Sequence, residues 1–231
     1  MCFSAQASFA GGIIISSIGI FTVRKVHKPS QILFASIPLF FGLQQITEGV
    51  LWLTIPLAAY AGIQNVATNI FLVMALVLWP LMIPLSVLFM EEVKKRRKIL
   101  FMLLIIGAVL SLYHIYRLFS YDVIPQIKGF HIEYYAYSPK SLALISFLFY
   151  LVATIMPLFF SSIKRTHLLG ILMTLSCLVT AVFFTKFLTS VWCFFAALIS
   201  VVIFWILSDS RKKFNLDKLL LIKNPFKEAK L

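Results

Sequence analysis

The chain has 231 residues, is 61% hydrophobic and 13% charged, and carries a mean hydropathy of +0.98 with a formal net charge of +13. A water-soluble domain of this length would need far more polar surface, so a bilayer must be the solvent for most side chains. The basic excess does not indicate nucleic acid, because the lysines and arginines are gathered on alternate connections between apolar segments.

A helical span needs roughly 20 mainly apolar residues, and lipid leaves no partner for open backbone N–H and C=O groups. On that basis seven helices are expected, at about 8–23, 31–54, 66–90, 99–118, 141–161, 168–186 and 188–208. They fill the chain and predict an all-α membrane protein, a seven-transmembrane-helix bundle over 1–208, followed by a basic tail at 209–231. Arg24, Lys25 and Lys28 follow the first span, Lys94–Lys98 the third, Lys164 and Arg165 the fifth, and seven more basic residues the last. The other side holds only Arg117, Lys128, Lys140 and Lys186. The positive-inside bias then places the N-terminus outside and the C-terminus in the cytoplasm, in a multi-pass protein of the plasma (cytoplasmic) membrane. The tail from Arg211 to Lys230 mixes lysines with Leu219, Leu220, Leu221, Ile222 and Phe226, a composition suited to anionic lipids of the inner leaflet. The opening residues carry no Lys or Arg and no small-x-small site follows the first span in a polar setting, so a retained first helix is expected rather than a cleaved signal.

In the first two spans Gly11, Gly12, Gly19, Gly42 and Gly49 would allow close helix contact. The second span also carries Glu48, the one acidic residue expected inside a span, about six residues or ~9 Å from its outer end. Gln44 precedes it by four residues, Gln45 by three, and Trp52 follows by four, so one helix face groups two amides, an acid and an indole. A buried carboxylate costs several kcal/mol unless it is paired, protonated or hydrated. It therefore reads either as a packing group bonded to a neighbouring helix or as the polar wall of a pocket. In the third span Trp79, Pro80 and Pro84 predict a kinked or locally opened helix, since proline removes a donor and crowds the preceding turn. Pro38 and Pro157 predict the same more weakly in the second and fifth spans.

The fourth span contains His114, at nearly the depth of Glu48, on a face shared with Gly107 and Ser111 and beside Tyr113 and Arg117. Arg117 is close enough to the surface to snorkel. The following outer loop, roughly 119–140, includes the aromatic run His131–Tyr137 and should form either an interfacial belt or a cap over the bundle. In the sixth span Cys177 reads as packing. The seventh opens with Ser190, Trp192 and Cys193 in the outer third, on the side where Cys2 and Ser4 also lie. Removal of Met1 would give Cys2 an amine beside its thiol; free thiols, a Cys2–Cys193 disulfide and metal or thiol chemistry all remain open.

The opening Met1-Cys2-Phe3-Ser4-Ala5, with Gln44-Gln45-x-x-Glu48-Gly49-x-x-Trp52, Trp79-Pro80 and Ser190-x-Trp192-Cys193-Phe194, resembles an uncharacterised family of bacterial multi-pass membrane proteins, a domain of unknown function. The resemblance spans residues 1 to about 205. It implies a bacterial membrane protein and marks Cys2, Gln45, Glu48 and Cys193 as positions of interest, without implying a mechanism.

Other seven-helix chemistries fail residue by residue. A retinal protein needs a Schiff-base lysine in its last helix, and 188–208 contains none, so no retinal is expected. A three-histidine zinc site on the outer side would have only His114 and His131. A transition metal such as zinc remains possible on a mixed set of Cys2, Glu48, His114 and Cys193. The leading expectation is a binding protein, a sensor or small transporter, that takes a small molecule or lipid headgroup from the outer face. Gln44, Gln45, Glu48, Tyr113 and His114 would supply its polar contacts, and Trp52, Trp79 and Trp192 its walls. The alternative is a metal- or thiol-dependent enzyme at the outer leaflet, with Glu48 or His114 as general base. A purely structural subunit is the third possibility.

Overall fold

The computed structural model describes residues 4–136, 143–183, 187, 189–192, 195 and 199–208. Helix α1 is Ala5–Val23, capped by the Ser4 side chain, which accepts from the Ala7 N–H at 3.2 Å. Helix α2 is Ile32–Thr54. A long helical rod from Ala58 to Met90 follows, made of α3 (Ala61–Leu72), a π-helical stretch at Val73–Leu78, and α4 (Trp79–Met90). Helix α5 is Lys94–Ser120, and the hairpin β1 (Val123–Lys128) and β2 (His131–Ala136) leads to α6 (Ala143–Phe160) and α7 (Lys164–Phe183). The last segment is helical at 189–192 and again in α8, Ile199–Ser208. The basic tail lies outside the described residues.

Among the described residues five helices are long and apolar enough to cross a membrane: α1, the Ala58–Met90 rod, α5, α6 and α7. Helix α2 has the length, but Gln44, Gln45 and Glu48 dilute its apolar character. The outward faces are as apolar as the interior. On α5, Met102, Ile105, Val109, Leu112 and Phe119 point outward and are roughly half or more exposed, while Leu100, Leu103, Gly107, Leu110, Ser111 and His114 are buried. A helix with apolar residues on both sides and polar ones turned inward fits a hydrocarbon surround, not water.

Glycine sets the distance between α1 and α2. A Cβ on Gly42 would lie 2.9 Å from the Ser16 nitrogen and 3.0 Å from the Gly12 carbonyl oxygen; one on Gly12 would meet Ile46. These are backbone approaches that only a residue without a side chain permits. We expect Gly42→Ala to lower the thermal midpoint in detergent, at a cost of about 1–3 kcal/mol. An unchanged melt would mean that the two helices can part without loss.

The opening of the third rod lies just before Pro80. Proline has no N–H to return to the preceding turn. In the π register its partner would be the Ala75 carbonyl, and that oxygen instead accepts the Tyr150 hydroxyl of α6 at 2.7 Å. The Val77 carbonyl accepts the Ser111 hydroxyl of α5 at 2.8 Å. Tyr150 thus satisfies the carbonyl that Pro80 leaves open and Ser111 adds a bond to a second carbonyl of the irregular turn, which is how such turns survive in an apolar setting.

At the other end of the bundle, the aromatic loop forms a cap. Ile132 is fully buried with Leu51, Phe71 and Leu72, and the Tyr134 ring stacks on Phe71 at 4.9 Å. The hairpin turns at Gly129, whose φ of 62° lies in the left-handed region that glycine enters without strain. Lys128 and Glu133 form an ion pair across it.

The basic residues collect at the opposite end. Lys25 donates to Ser208 at 3.1 Å, Lys28 pairs with Glu92 at 3.1 Å, and Arg165 sits over the Trp205 ring. Arg96 donates to the carbonyls of Phe160 and Ser161 at the end of α6, and Arg97 to those of Leu88 and Glu91 at the end of α4. Cations there complement the negative helix termini.

Candidate functional site

Helix α2 turns Gln44, Gln45 and Glu48 into the bundle, and all three are buried. Their hydrogen bonds run to different neighbours. Gln45 and Glu48 face the last segment: Ser190 donates to Glu48 Oε1 at 2.6 Å, and the Gln45 amide reaches Glu48 Oε2 at 3.5 Å. Gln44 faces the third rod, where its Oε1 accepts the Trp79 indole N–H at 3.0 Å. Trp79 in turn stacks on Phe41 at 4.0 Å. Residues 44 and 45 are one position apart, about 100° around the helix, so they diverge to different neighbours.

Gln44 and Trp79 belong to the wall of a cavity of about 220 Å³ between α2, the third rod, α5, α6 and the last segment. His114, Ser146, Tyr150 and Trp192 share that wall. His114 Nε2 lies 3.2 Å from the Ser146 hydroxyl, and Tyr150 meets Trp192 edge-on at 5.9 Å. Apolar side chains make up most of the remaining wall. A second cavity, of about 160 Å³, lies under the hairpin and shares Leu76, His114, Arg117 and Thr189 with the first.

Of the residues singled out from the sequence, Gln44, His114 and Trp192 meet at the larger cavity, together with Trp79. Tyr113 stands behind that wall: its ring lies 5.3 Å from that of His114, with the Arg117 guanidinium over it at 5.7 Å. Trp52 packs in the outer apolar cluster under the hairpin. Glu48 bonds Gln45 and Ser190. For the mixed metal set, Glu48 has those partners while His114 lies against Ser146, and Cys2 and Cys193 lie outside the described residues. Among the described residues no group of three His, Cys, Asp or Glu side chains could hold a metal ion. Cys177 is buried in α7.

Two features escaped sequence reasoning. The polar wall contributed by α6 is Ser146, Tyr150 and Thr154, three residues at four-residue spacing on an otherwise apolar span. That periodicity was the available signal. The other is Glu91, just past the end of α4. It is buried and accepts the N–H groups of Val93 at 2.9 Å and Ser162 at 2.6 Å, which ties the α4–α5 turn to the α6–α7 turn. Burial opposes its charge, but these N–H groups and the nearby Arg96 outweigh that effect and hold its carboxyl below the ordinary carboxylate value.

A helical bundle with five helices fit to cross a bilayer and apolar outward faces fits the class of multi-pass membrane proteins. Within that class the chain belongs to a family of unknown function, DUF6629, whose model matches residues 1–217. No curated protein and no solved structure matches it significantly.

Proposed function

We propose that this protein is a binding component, a sensor or small transporter, of a bacterial cytoplasmic membrane, and that it takes a small molecule into the cavity around His114 from the outer face. It crosses the bilayer seven times, counting α2 and the last segment, with the hairpin cap outside and the Arg96–Arg97 end in the cytoplasm. The tail rests on anionic lipids of the inner leaflet. The observation that carries this reading is the cavity itself: mainly apolar walls with a few convergent polar groups from Gln44, His114, Ser146 and Tyr150. An apolar cavity of roughly 150 Å³ can hold benzene, so about 220 Å³ suits a compact ring system or a single short chain. Glu48, with Gln45 and Ser190, serves as the bond that fixes α2 to the last segment.

Native mass spectrometry of protein released from mild detergent, together with a thermal-shift panel of small organic molecules, tests the proposal. Thr154 is buried on the cavity wall. The wild type should retain an organic adduct or be stabilised by panel members, and Thr154→Phe should lose this while still melting cooperatively. A bare wild type indifferent to the panel, or a Thr154→Phe variant that binds equally well, would overturn it.

A further inference from the structure

We propose that the bound molecule is a neutral ring bearing carbonyl groups, as a quinone does, whose oxygens accept hydrogen bonds from the Gln44 amide and from the His114–Ser146 pair. This rests on the binding role proposed above and names the ligand class. The Gln44 amide carries the argument. An indole N–H can only donate, so the atom that meets Trp79 Nε1 at 3.0 Å must be the amide oxygen. That bond fixes which way the amide faces and leaves its NH2 group turned from Trp79. Among the described residues nothing accepts from this NH2 group, although Gln44 is only 2% exposed and stands in the wall of the larger cavity. Buried donors without an acceptor are costly, and a molecule in the cavity that brings an acceptor oxygen removes the cost.

A second donor stands on the same wall. His114 Nε2 and the Ser146 hydroxyl lie 3.2 Å apart. If the hydroxyl donates, the imidazole proton sits on Nδ1; if Nε2–H donates, the hydroxyl keeps its own hydrogen. In either tautomer one donor of the pair is unspent among the described residues. The other hydroxyls are directed at backbone: Tyr150 donates to the Ala75 carbonyl at 2.7 Å and Thr154 to the Tyr150 carbonyl at 2.8 Å. The polar groups left for a ligand are therefore donors on neutral side chains, and their complement is an acceptor. A carbonyl oxygen accepts without bringing a charge into a mainly apolar wall, where an ion would lose far more hydration. Arg117 reaches this wall too, but its guanidinium is already engaged, in part by the Tyr113 ring. Aromatic faces from Phe41, Trp79, Phe147 and Trp192 suit a flat ring, and about 220 Å³ suits one ring with small substituents.

The test uses the full chain in phosphatidylcholine nanodiscs and follows quenching of tryptophan fluorescence by tetramethyl-p-benzoquinone, since Trp79 and Trp192 line the cavity. Methyl groups fill the ring positions of this quinone at which cysteine thiols would otherwise add. Tetramethylbenzene, the same ring without carbonyls, and tetramethylbenzoate, an anionic ring, are scored by how well they relieve the quenching, with partitioning into lipid corrected. The quinone should quench saturably and bind about tenfold or more tighter than tetramethylbenzene. Gln44→Met keeps the volume but has no N–H to donate, so it should cut that preference about fivefold while leaving the affinity for tetramethylbenzene unchanged. Ser146→Ala should cut it to a smaller extent. Equal affinities for the quinone and the hydrocarbon, or a preference that both variants retain in full, would overturn the carbonyl assignment and leave the cavity-binding role standing. A benzoate that binds tighter than the quinone would overturn it in favour of an anion. Quenching that never saturates would overturn it as well, and the thermal-shift panel on the wild type and Thr154→Phe then decides the binding role separately.

Discussion

Gly107→Ala should be among the most damaging single-methyl additions in this protein. Gly107 of α5 faces the Pro80 carbonyl at the head of α4, and an added Cβ would fall well inside contact distance of that oxygen and 2.9 Å from its carbon. The obstacle is backbone, so no side-chain rotation relieves it. The carbonyl is open to this approach because Pro84, four residues on, has no N–H to give it. One turn further along α5, Ser111 bonds the Val77 carbonyl, and His114 lies beyond it on the cavity wall. Pushing α5 outward at residue 107 therefore loosens the bond that closes the π-helical turn and widens the site. Overpacking of this kind costs about 3 kcal/mol. We expect a clearly lowered thermal midpoint and weakened ligand binding. Gly62→Ala is the control: it lies in α3 with nothing near its missing Cβ, and alanine should stabilise that helix by about 0.5–1 kcal/mol. Equal melts for the two variants would show that α4 and α5 are not held as closely as Gly107 and Pro80 indicate.

The second large effect is expected at Glu91. Glu91→Ala leaves the Val93 and Ser162 N–H groups without their acceptors where the two basic-end turns meet. Bonds to a charged acceptor contribute roughly 1.5–3 kcal/mol when shielded, but Val93 and Ser162 are exposed residues whose N–H groups water can reach, which places the loss at about 2 kcal/mol. Glu91→Gln keeps one acceptor oxygen and should fall between. The charge adds a pH signature. Because the folded carboxyl is held below its ordinary value, its contribution is fully present above the usual carboxylate range of about 4 and fades as pH falls through the lower folded value. Thermal melts from pH 7 downward should decline more steeply below that range in the wild type than in Glu91→Gln. Parallel profiles would mean that the carboxylate gains nothing from its partners.

The same residue explains why part of the molecule was illegible in the sequence. Glu91 and Glu92 adjoin in a short polar connection, yet Glu91 is buried between two turns while Glu92 pairs with Lys28 in the open. Sequence position gives the connection, not the packing of a turn 71 residues away in the chain. Gln44 and Gln45 divide in the same way. Helical periodicity put both near Glu48, and only the placement of the third rod and the last segment sent one to Trp79 and the other to the carboxylate.

What the sequence determined by itself was the solvent and the irregularities. Hydropathy made the chain helical and apolar on its outside, because an unpaired backbone group has no partner in lipid. Prolines 80 and 84 marked where the third rod opens, since a missing N–H is a covalent fact independent of neighbours. The tertiary structure decided which carbonyl each hydroxyl satisfies, where the helices leave a cavity, and that the hairpin packs onto the helices with Ile132 buried and Tyr134 against Phe71. Those outcomes depend on the angles and distances between helices, which side-chain volumes and close glycine contacts set jointly across segments far apart in the chain.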